Sequence, residues 1–294
     1  TKDIINKTIT FKYNDINNLK KIIKKYKNKI SCLVIEPATS TCPKIYNSKE
    51  NCCSKSPCSR NYKKNNHYLK QVEKVCKENK IIFILDEMIT GFRWHLKGAQ
   101  HLYNLDPDLS TFGKAMANGF SVACVAGKKK LMELGSITNK KQERVFLLST
   151  THGAEMSGLG AFVKTVKFLK KNNVLKKNWD FGYELISKTN KISRKLGLSE
   201  YFFMSGPSCS PIYTCLDKLK KNSLALRTLF MQEMLKNKVF IPWIAISYSH
   251  KKPELKKTLN AITKSLKVYK KALFGNINKY LKSKPIKPVF RKFN

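Results

Sequence analysis

The most distinctive hydrophobic pattern in the chain is a run of five apolar residues, Ile81 to Leu85, which ends on two acids, Asp86 and Glu87. Its length and unbroken apolar character predict a strand buried on both faces of a sheet. Weaker apolar runs predict further strands, and apolar positions every three or four residues predict helices between them. The predicted strands are 30–35, 81–86, 121–126 and 145–149, and the predicted helices are 15–27, 65–79, 154–171 and 173–190. This alternation predicts an α/β fold with a mainly parallel sheet flanked by helices.

The pattern changes near residue 195. Short predicted strands at 201–204, 211–216 and 239–246 alternate with predicted helices at 223–237 and 253–282. A chain of 294 residues is long enough for two cores. We therefore expect a large domain over 1–194 and a small α+β domain over 195–294.

The charge is strongly basic, with 58 lysines and arginines against 19 acids and a formal net charge of +39. Only six of the basic residues are arginine, the lysines are spread along the whole chain, and no nucleic-acid-binding motif is recognisable. We therefore expect a solvated surface with nonspecific attraction to polyanions and no specific nucleic-acid partner, and a polyanion-binding protein is a weaker alternative function. No apolar stretch approaches the roughly 18 residues of a membrane span, and no leader is recognisable at Thr1, so we expect no membrane partner and a cytoplasmic location.

Four of the nine cysteines, at positions 42, 52, 53 and 58, fall in the polar segment 41–60. Zinc sites usually carry Cys-x2-Cys pairs, and this segment has none, so we expect no metal site. The odd number of cysteines favours reduced thiols.

The candidate chemistry lies at the end of the predicted strand 81–86. Open α/β sheets bind ligands at the carboxyl ends of their strands, where Asp86 falls. Lys114 follows 28 residues later among small residues, a setting that could hold its amine in a dry pocket, where the amine is nucleophilic at a lowered pKa. Pyridoxal phosphate needs a carboxylate that faces its protonated ring nitrogen and a lysine that binds it and moves protons. A strand end and a loop lysine without catalytic role would produce the same pair of residues.

Two longer motifs decide between these interpretations. Residues 86–93, DEMITGFR, and 110–114, STFGK, resemble the class III (fold type I) aminotransferases, above all the glutamate-1-semialdehyde aminomutase group and its close aminotransferase relatives. The resemblance implies pyridoxal 5'-phosphate as cofactor, a Schiff base at Lys114 and contact of Asp86 with the ring nitrogen. The implied reaction is amino-group transfer, as an aminotransferase or an intramolecular aminomutase, on a small amino or carbonyl substrate.

The same resemblance extends to two further cofactor contacts. Met88 matches the position that packs on one face of the cofactor ring, although its spacing fits ordinary core packing equally well. Glu36, in the segment 33–37 (LVIEP), matches a strand end close to the pocket. Both residues are therefore expected beside the cofactor.

The segment 145–155 contributes a candidate phosphate site, because a predicted strand runs into hydroxyl residues and a glycine before a helix. By resemblance, Thr150 matches the threonine that reaches the cofactor phosphate of the neighbouring subunit, which implies a homodimer with shared active sites. The alternative is that these hydroxyls cap the helix 154–171. His152 fits a site role and a loop role equally well.

Three residues at the end of the first motif and just after it stay open between roles. Arg93 could bind a substrate carboxylate or make a structural ion pair, and the second interpretation is favoured. Trp94 and His95 are possible pocket lining.

The resemblance covers nearly all of this chain but only the C-terminal two thirds of the family's length. The family's Gly/Ser-rich phosphate-binding turn and its ring-stacking aromatic residue are not recognisable. A second hypothesis is therefore a catalytically silent paralogue, or a split-gene subunit that assembles with an upstream partner polypeptide.

Overall fold

The computed structural model describes residues 2–38, 41–46, 66–137, 143–144, 153 and 155–287. The chain folds into two compact units, which meet in sequence between Leu175 and Lys176. This division lies at the start of the helix that ends at Lys195, whereas the expected domain boundary, between 194 and 195, lies at its end. That expected boundary stays a prediction.

The first unit contains a four-stranded sheet with short helices between its strands. The strands are β1 (Cys32–Ile35), β2 (Ile82–Asp86), β3 (Leu109–Phe112) and β4 (Cys124–Gly127). The helices are α1 (Lys2–Asn6), α2 (Ile16–Lys25), α3 (Tyr68–Glu78), α4 (Gly98–Leu102), α5 (Lys129–Met132) and α6 (Met156–Lys171), with 3₁₀ turns at Lys114–Met116 and Glu133–Gly135.

The strand order is β1-β2-β3-β4. The first three strands are parallel and β4 is antiparallel, which confirms the mainly parallel sheet. The strand β3 is absent from the predicted elements, because its sequence, Leu-Ser-Thr-Phe, is half polar. Predicted strand 145–149 lies outside the described residues.

The two faces of this sheet differ in burial. Phe83 and Leu85 of β2 are buried, as are Leu33 and Ile35 of β1, and helices α2 and α3 supply the apolar side chains Leu19, Ile23, Leu69, Val72 and Cys76 to the same core. On the opposite face Ile82, Ile84 and Asp86 are half-buried and Val34 is 55% exposed. The prediction that β2 is buried on both faces is therefore wrong for the residues described, since one face lacks a complete cover.

The second unit contains all but the first two residues of helix α7 (Val174–Lys195), and it contains an antiparallel pair, β5 (Phe202–Ser205) and β6 (Ile212–Cys215). Helices α8 (Leu224–Lys236) and α9 (Lys252–Phe274) and a 3₁₀ turn at Ile277–Lys279 complete it. Its core includes Leu198, Phe202, Met204, Tyr213, Leu229, Phe230, Ile262, Leu266 and Tyr269.

The predicted strand 239–246 is wrong, because these residues form no strand. Pro242 has no N–H to donate to a neighbouring strand. The carbonyl of Ile241 instead accepts a hydrogen bond from the Tyr213 hydroxyl at 2.9 Å, and the carbonyl of Pro242 accepts one from Arg227 Nη2 at 3.0 Å. Side chains therefore satisfy the carbonyl groups that a sheet would have used.

Cysteine chemistry departs from expectation at one position. Cys42 is in a disulfide, whereas Cys32, Cys76, Cys124, Cys209 and Cys215 carry free thiols. The expectation of reduced thiols is confirmed for these five and wrong for Cys42, because sequence spacing does not reveal which sulfur atoms meet in space. In the described ranges, no group of three or more His, Cys, Asp or Glu side chains could hold a metal ion. None of the helices in those ranges is long and apolar enough to cross a membrane.

Candidate functional site

The carboxyl ends of three strands bring the predicted site residues to one edge of the sheet. Ile35 of β1 pairs with Leu85 of β2, so Glu36 and Asp86 follow at the same level. Asp86 in turn pairs with Thr111 of β3. Paired residues of parallel strands point to the same face, so these three side chains share the half-exposed face of the sheet.

The carboxylate of Asp86 is held through one of its two oxygens. Oδ1 accepts a hydrogen bond from the Met88 amide at 2.9 Å and one from the Thr111 hydroxyl at 3.2 Å. In the part of the chain that the structure describes, Oδ2 accepts none. The half-buried carboxylate is thus fixed in direction while one oxygen is free to bind a ligand.

Lys114 begins the 3₁₀ turn that follows β3, two residues beyond the end of the strand. Its backbone φ is +47°, in the left-handed region that side chains other than Gly and Asn seldom adopt. The Lys114 side chain is exposed. The described residues therefore do not form the dry pocket that the sequence led us to expect, and that prediction is wrong for them.

The pKa of Glu36 depends on its burial and on the charges of Asp86 and Lys114. Partial burial of its carboxyl group raises the pKa of Glu36, the negative charge of Asp86 raises it further, and the Lys114 ammonium group opposes the rise. All three residues follow the carboxyl ends of neighbouring strands, since Lys114 comes two residues after β3. That Asp86 and Lys114 act at one site stays a prediction.

Met88 packs beside the backbone that leads to Lys114. A Cβ atom added to Gly113 would stand 3.0 Å from the Met88 sulfur and would overlap its methyl group. The half-buried Met88 side chain therefore lies against Gly113, the residue before Lys114. This contact is compatible with core packing and with contact to a bound ring.

Glu87, next to Asp86, is held by several hydrogen bonds. No role for it was assigned from the sequence. It is fully buried, and its Oε2 accepts hydrogen bonds from the Thr90 hydroxyl at 2.6 Å and the Ala99 amide at 2.7 Å. Its Oε1 accepts one from the Gln100 amide at 2.8 Å. Burial raises the pKa of Glu87, with a smaller rise from the charge of Asp86, while the three donors oppose the change.

The residues that follow this motif have different environments. Trp94 is only 1% exposed and belongs to the core, so the interpretation of Trp94 as pocket lining is wrong. His95 stacks on His101 with ring centroids 4.3 Å apart, and burial together with the neighbouring His101 and Lys97 charges lowers the pKa of His95. Arg93 is half-buried, and its role stays a prediction. Thr150 and His152 lie outside the described residues, so their assignments also stay predictions.

Solved structures define the fold to which this arrangement belongs. The chain matches the FumI protein of Sphingopyxis sp. MTA144 with a TM-score of 0.70 and 18% identity, over 90% of this chain and 58% of that one. Other similar structures are transaminases. The described fold is therefore that of the fold type I transaminases.

Sequence comparison identifies proteins to which the chain is similar. Residues 61–199 match the family model for class-III aminotransferases. Glutamate-1-semialdehyde 2,1-aminomutase of Archaeoglobus fulgidus is 29% identical over 277 residues, which cover 90% of this chain and 60% of that protein. The 3-aminobutyryl-CoA aminotransferase of Cloacimonas acidaminovorans is 30% identical over 270 residues, covering 90% of this chain and 58% of its own length. Residues 61–199 are therefore similar to the class-III aminotransferases, and the chain spans about 60% of the length of these relatives.

Proposed function

We propose that this chain takes part in pyridoxal 5'-phosphate-dependent transfer of an amino group, as an aminotransferase or an intramolecular aminomutase, on a small amino or carbonyl substrate. The observation that supports the proposal is that Glu36, Asp86 and Lys114 follow the carboxyl ends of the neighbouring strands β1, β2 and β3. The two named relatives include one enzyme of each reaction type. A cytoplasmic location remains part of the proposal.

The residues present fit this cofactor. When bound, pyridoxal phosphate supplies a ring that withdraws electrons from the carbon next to the amino group. Asp86 has the free Oδ2 needed to accept a hydrogen bond from a protonated ring nitrogen, and its charge would keep that nitrogen protonated. Met88 would pack on one ring face, Glu36 would lie at the rim, and Thr150 would bind the phosphate of the neighbouring subunit.

Lys114 has the other role. Its amine would be the nucleophile that binds the cofactor and, once released, the base that moves a proton at the substrate carbon. Its exposed side chain has room to swing between these tasks. We also propose a homodimer, because Thr150 would serve the partner's site.

Reduction with borohydride tests the proposal. The chain incubated with pyridoxal phosphate should acquire visible absorbance, and borohydride should fix one adduct on the peptide that contains Lys114. Lys114→Ala should lose both signals. Lys97→Ala is the matched control, because Lys97 is exposed on the nearby loop and should change neither. An adduct that survives in Lys114→Ala would overturn the assignment.

A second candidate is a subunit that is silent alone and assembles with another polypeptide. The open face of the sheet favours it, because Val34 and Val125 are 55% and 52% exposed on the same face as Asp86. Exposed apolar surface of this kind marks interaction sites. If the chain alone gains no absorbance and an added upstream polypeptide restores it, this candidate replaces activity of the chain alone.

The reaction type needs its own assay. Transamination measured with a panel of amino donors, compared with isomerisation of an amino aldehyde, distinguishes aminotransferase from aminomutase.

A further inference from the structure

Glu87 lies between two residues of the proposed cofactor site. It follows Asp86 and precedes Met88 in the chain. Its own amide donates to the carbonyl of Thr111 at 3.0 Å, which extends the pairing of β2 with β3 by one step. The β3 strand therefore holds the backbone both at Asp86 and at the residue that follows it.

The side chain of Glu87 closes the turn that follows. Its hydrogen bonds to Thr90, Ala99 and Gln100 span 13 residues and connect the end of β2 to the start of α4. Its carbonyl also accepts the Gly91 amide at 2.8 Å. Gly98 has a φ of +77° and lies so close that a Cβ atom there would overlap the Glu87 carboxylate. The turn is therefore built around this one carboxylate.

We propose that Glu87 is a positioning residue, which holds the carboxylate of Asp86 and the thioether of Met88 in place by anchoring the turn 88–98. This inference rests on the proposed function, since it concerns the same site. The Thr90 hydroxyl and the Ala99 and Gln100 amides all donate to Glu87, so an ionised carboxylate satisfies them and a carboxamide does not.

The Glu87→Gln substitution tests this role because it keeps the shape and replaces one acceptor with a donor. The Met88 amide donates to Asp86, and the Ala99 and Gln100 amides donate to Glu87. Their hydrogen exchange is measured before pyridoxal phosphate is added. Hydrogen exchange at all three should accelerate by at least about tenfold in Glu87→Gln. With pyridoxal phosphate, the dissociation constant should rise by roughly tenfold, and the pH at which the visible band titrates should shift.

Asp108→Asn is the matched control. Asp108 also anchors β2 through its carboxylate, which accepts the Phe83 amide at 2.8 Å and pairs with Lys128 at 2.8 Å, but it does so away from the site. This variant should lower stability without changing Met88 exchange or the visible titration. If Asp108→Asn reproduces both changes, or if Met88 exchange is unchanged in a folded Glu87→Gln, the positioning role is wrong.

A milder variant covers the case in which Glu87→Gln does not fold. Thr90→Val removes one of the three donors and should accelerate the same amides to a smaller degree, and unchanged exchange there would equally overturn the role. If the wild-type chain binds no pyridoxal phosphate, the proposed function fails, while the exchange of the Met88 amide still decides whether Glu87 positions Asp86.

Discussion

The hydroxyl of Thr111 donates to Oδ1 of Asp86 at 3.2 Å across the parallel pair of β2 and β3. One carboxylate oxygen is thereby occupied and the other left for a ligand. The orientation of the Asp86 carboxylate is fixed by one hydrogen bond from a neighbouring strand and one from its own loop. The contribution of each hydrogen bond can therefore be tested separately.

Removing the charge of Asp86 should weaken cofactor binding more than any other change at the strand ends. Asp86→Asn keeps an acceptor oxygen but loses the charge, so the affinity for pyridoxal phosphate should fall by about 10- to 100-fold. A spectroscopic titration measures this. Asp106→Asn serves as control, since the Asp106 side chain is 83% exposed and lies 3.7 Å from Lys128 in an ion pair. Equal affinities in the two variants would contradict the assignment.

The Thr111 hydroxyl should have a smaller effect of the same kind. Thr111→Val keeps the shape and removes the donor, so Asp86 loses one of two orienting bonds and the cofactor dissociation constant should rise by about threefold to tenfold. Thr111→Ser restores a donor and should recover most of the affinity. Loss of affinity in Thr111→Ser as large as in Thr111→Val would show that the methyl group matters instead.

The buried His67 should make the stability of the first unit depend on pH. It caps α3 by accepting the Lys70 amide at Nδ1, and its Nε2 lies 3.0 Å from the carbonyl of Tyr103. Burial lowers the pKa of His67 to about 4, against 6.5 when unfolded. The unfolded chain therefore binds the proton first, and stability is lost as the pH falls from 6.5 towards 4, by up to about 3 kcal/mol.

Urea denaturation at about pH 7 and about pH 5, on either side of the pKa of an unfolded histidine, measures this loss. In His67→Asn, which keeps a capping side chain, the difference between the two pH values should shrink. His250→Asn removes an exposed histidine of the second unit and should leave that difference as it is in the wild type. An unchanged difference in His67→Asn would contradict the assignment.

Two helical glycines should respond in opposite directions to the same substitution. A Cβ at Gly182 would fall on the carbonyl oxygen of Ser208 and 2.6 Å from the Ile246 side chain, so Gly182→Ala should destabilise the second unit by about 3 kcal/mol. A Cβ at Gly160 would meet no described atom within 4 Å, so Gly160→Ala should stabilise by about 0.5–1 kcal/mol. Thermal denaturation compares the two, and destabilisation by both would show that Gly160 has contacts beyond those described.

Elements of the fold that depend on short stretches of sequence could be predicted, and elements that depend on contacts with distant residues could not. The apolar run before Asp86 and the periodicity of α2 and α3 lie within short windows, and the structure confirms these elements. Half-polar β3 was missed, and the run 239–246 was misread because its carbonyl partners lie on distant side chains.

The candidate site shows the same difference between features set by nearby sequence and features set by distant residues. The placement of Asp86 and Lys114 after neighbouring strands follows from motif spacing and strand order, while their joint role at one site stays a prediction. The exposure of Lys114 could not be predicted, since it depends on which segments cover a sheet face. The placement of Glu87 was missed because its partners Ala99 and Gln100 are 12 and 13 residues away.

The left-handed backbone at Lys114 lowers the stability of the fold at the position where the proposed reaction needs an amine. A φ of +47° costs a lysine about 1–3 kcal/mol, and a glycine adopts it without that cost. Lys114→Gly should therefore yield a chain that unfolds at a higher temperature yet has lost the amine on which the proposed reaction depends. That single variant would therefore separate the cost of the backbone conformation from the proposed use of the side chain.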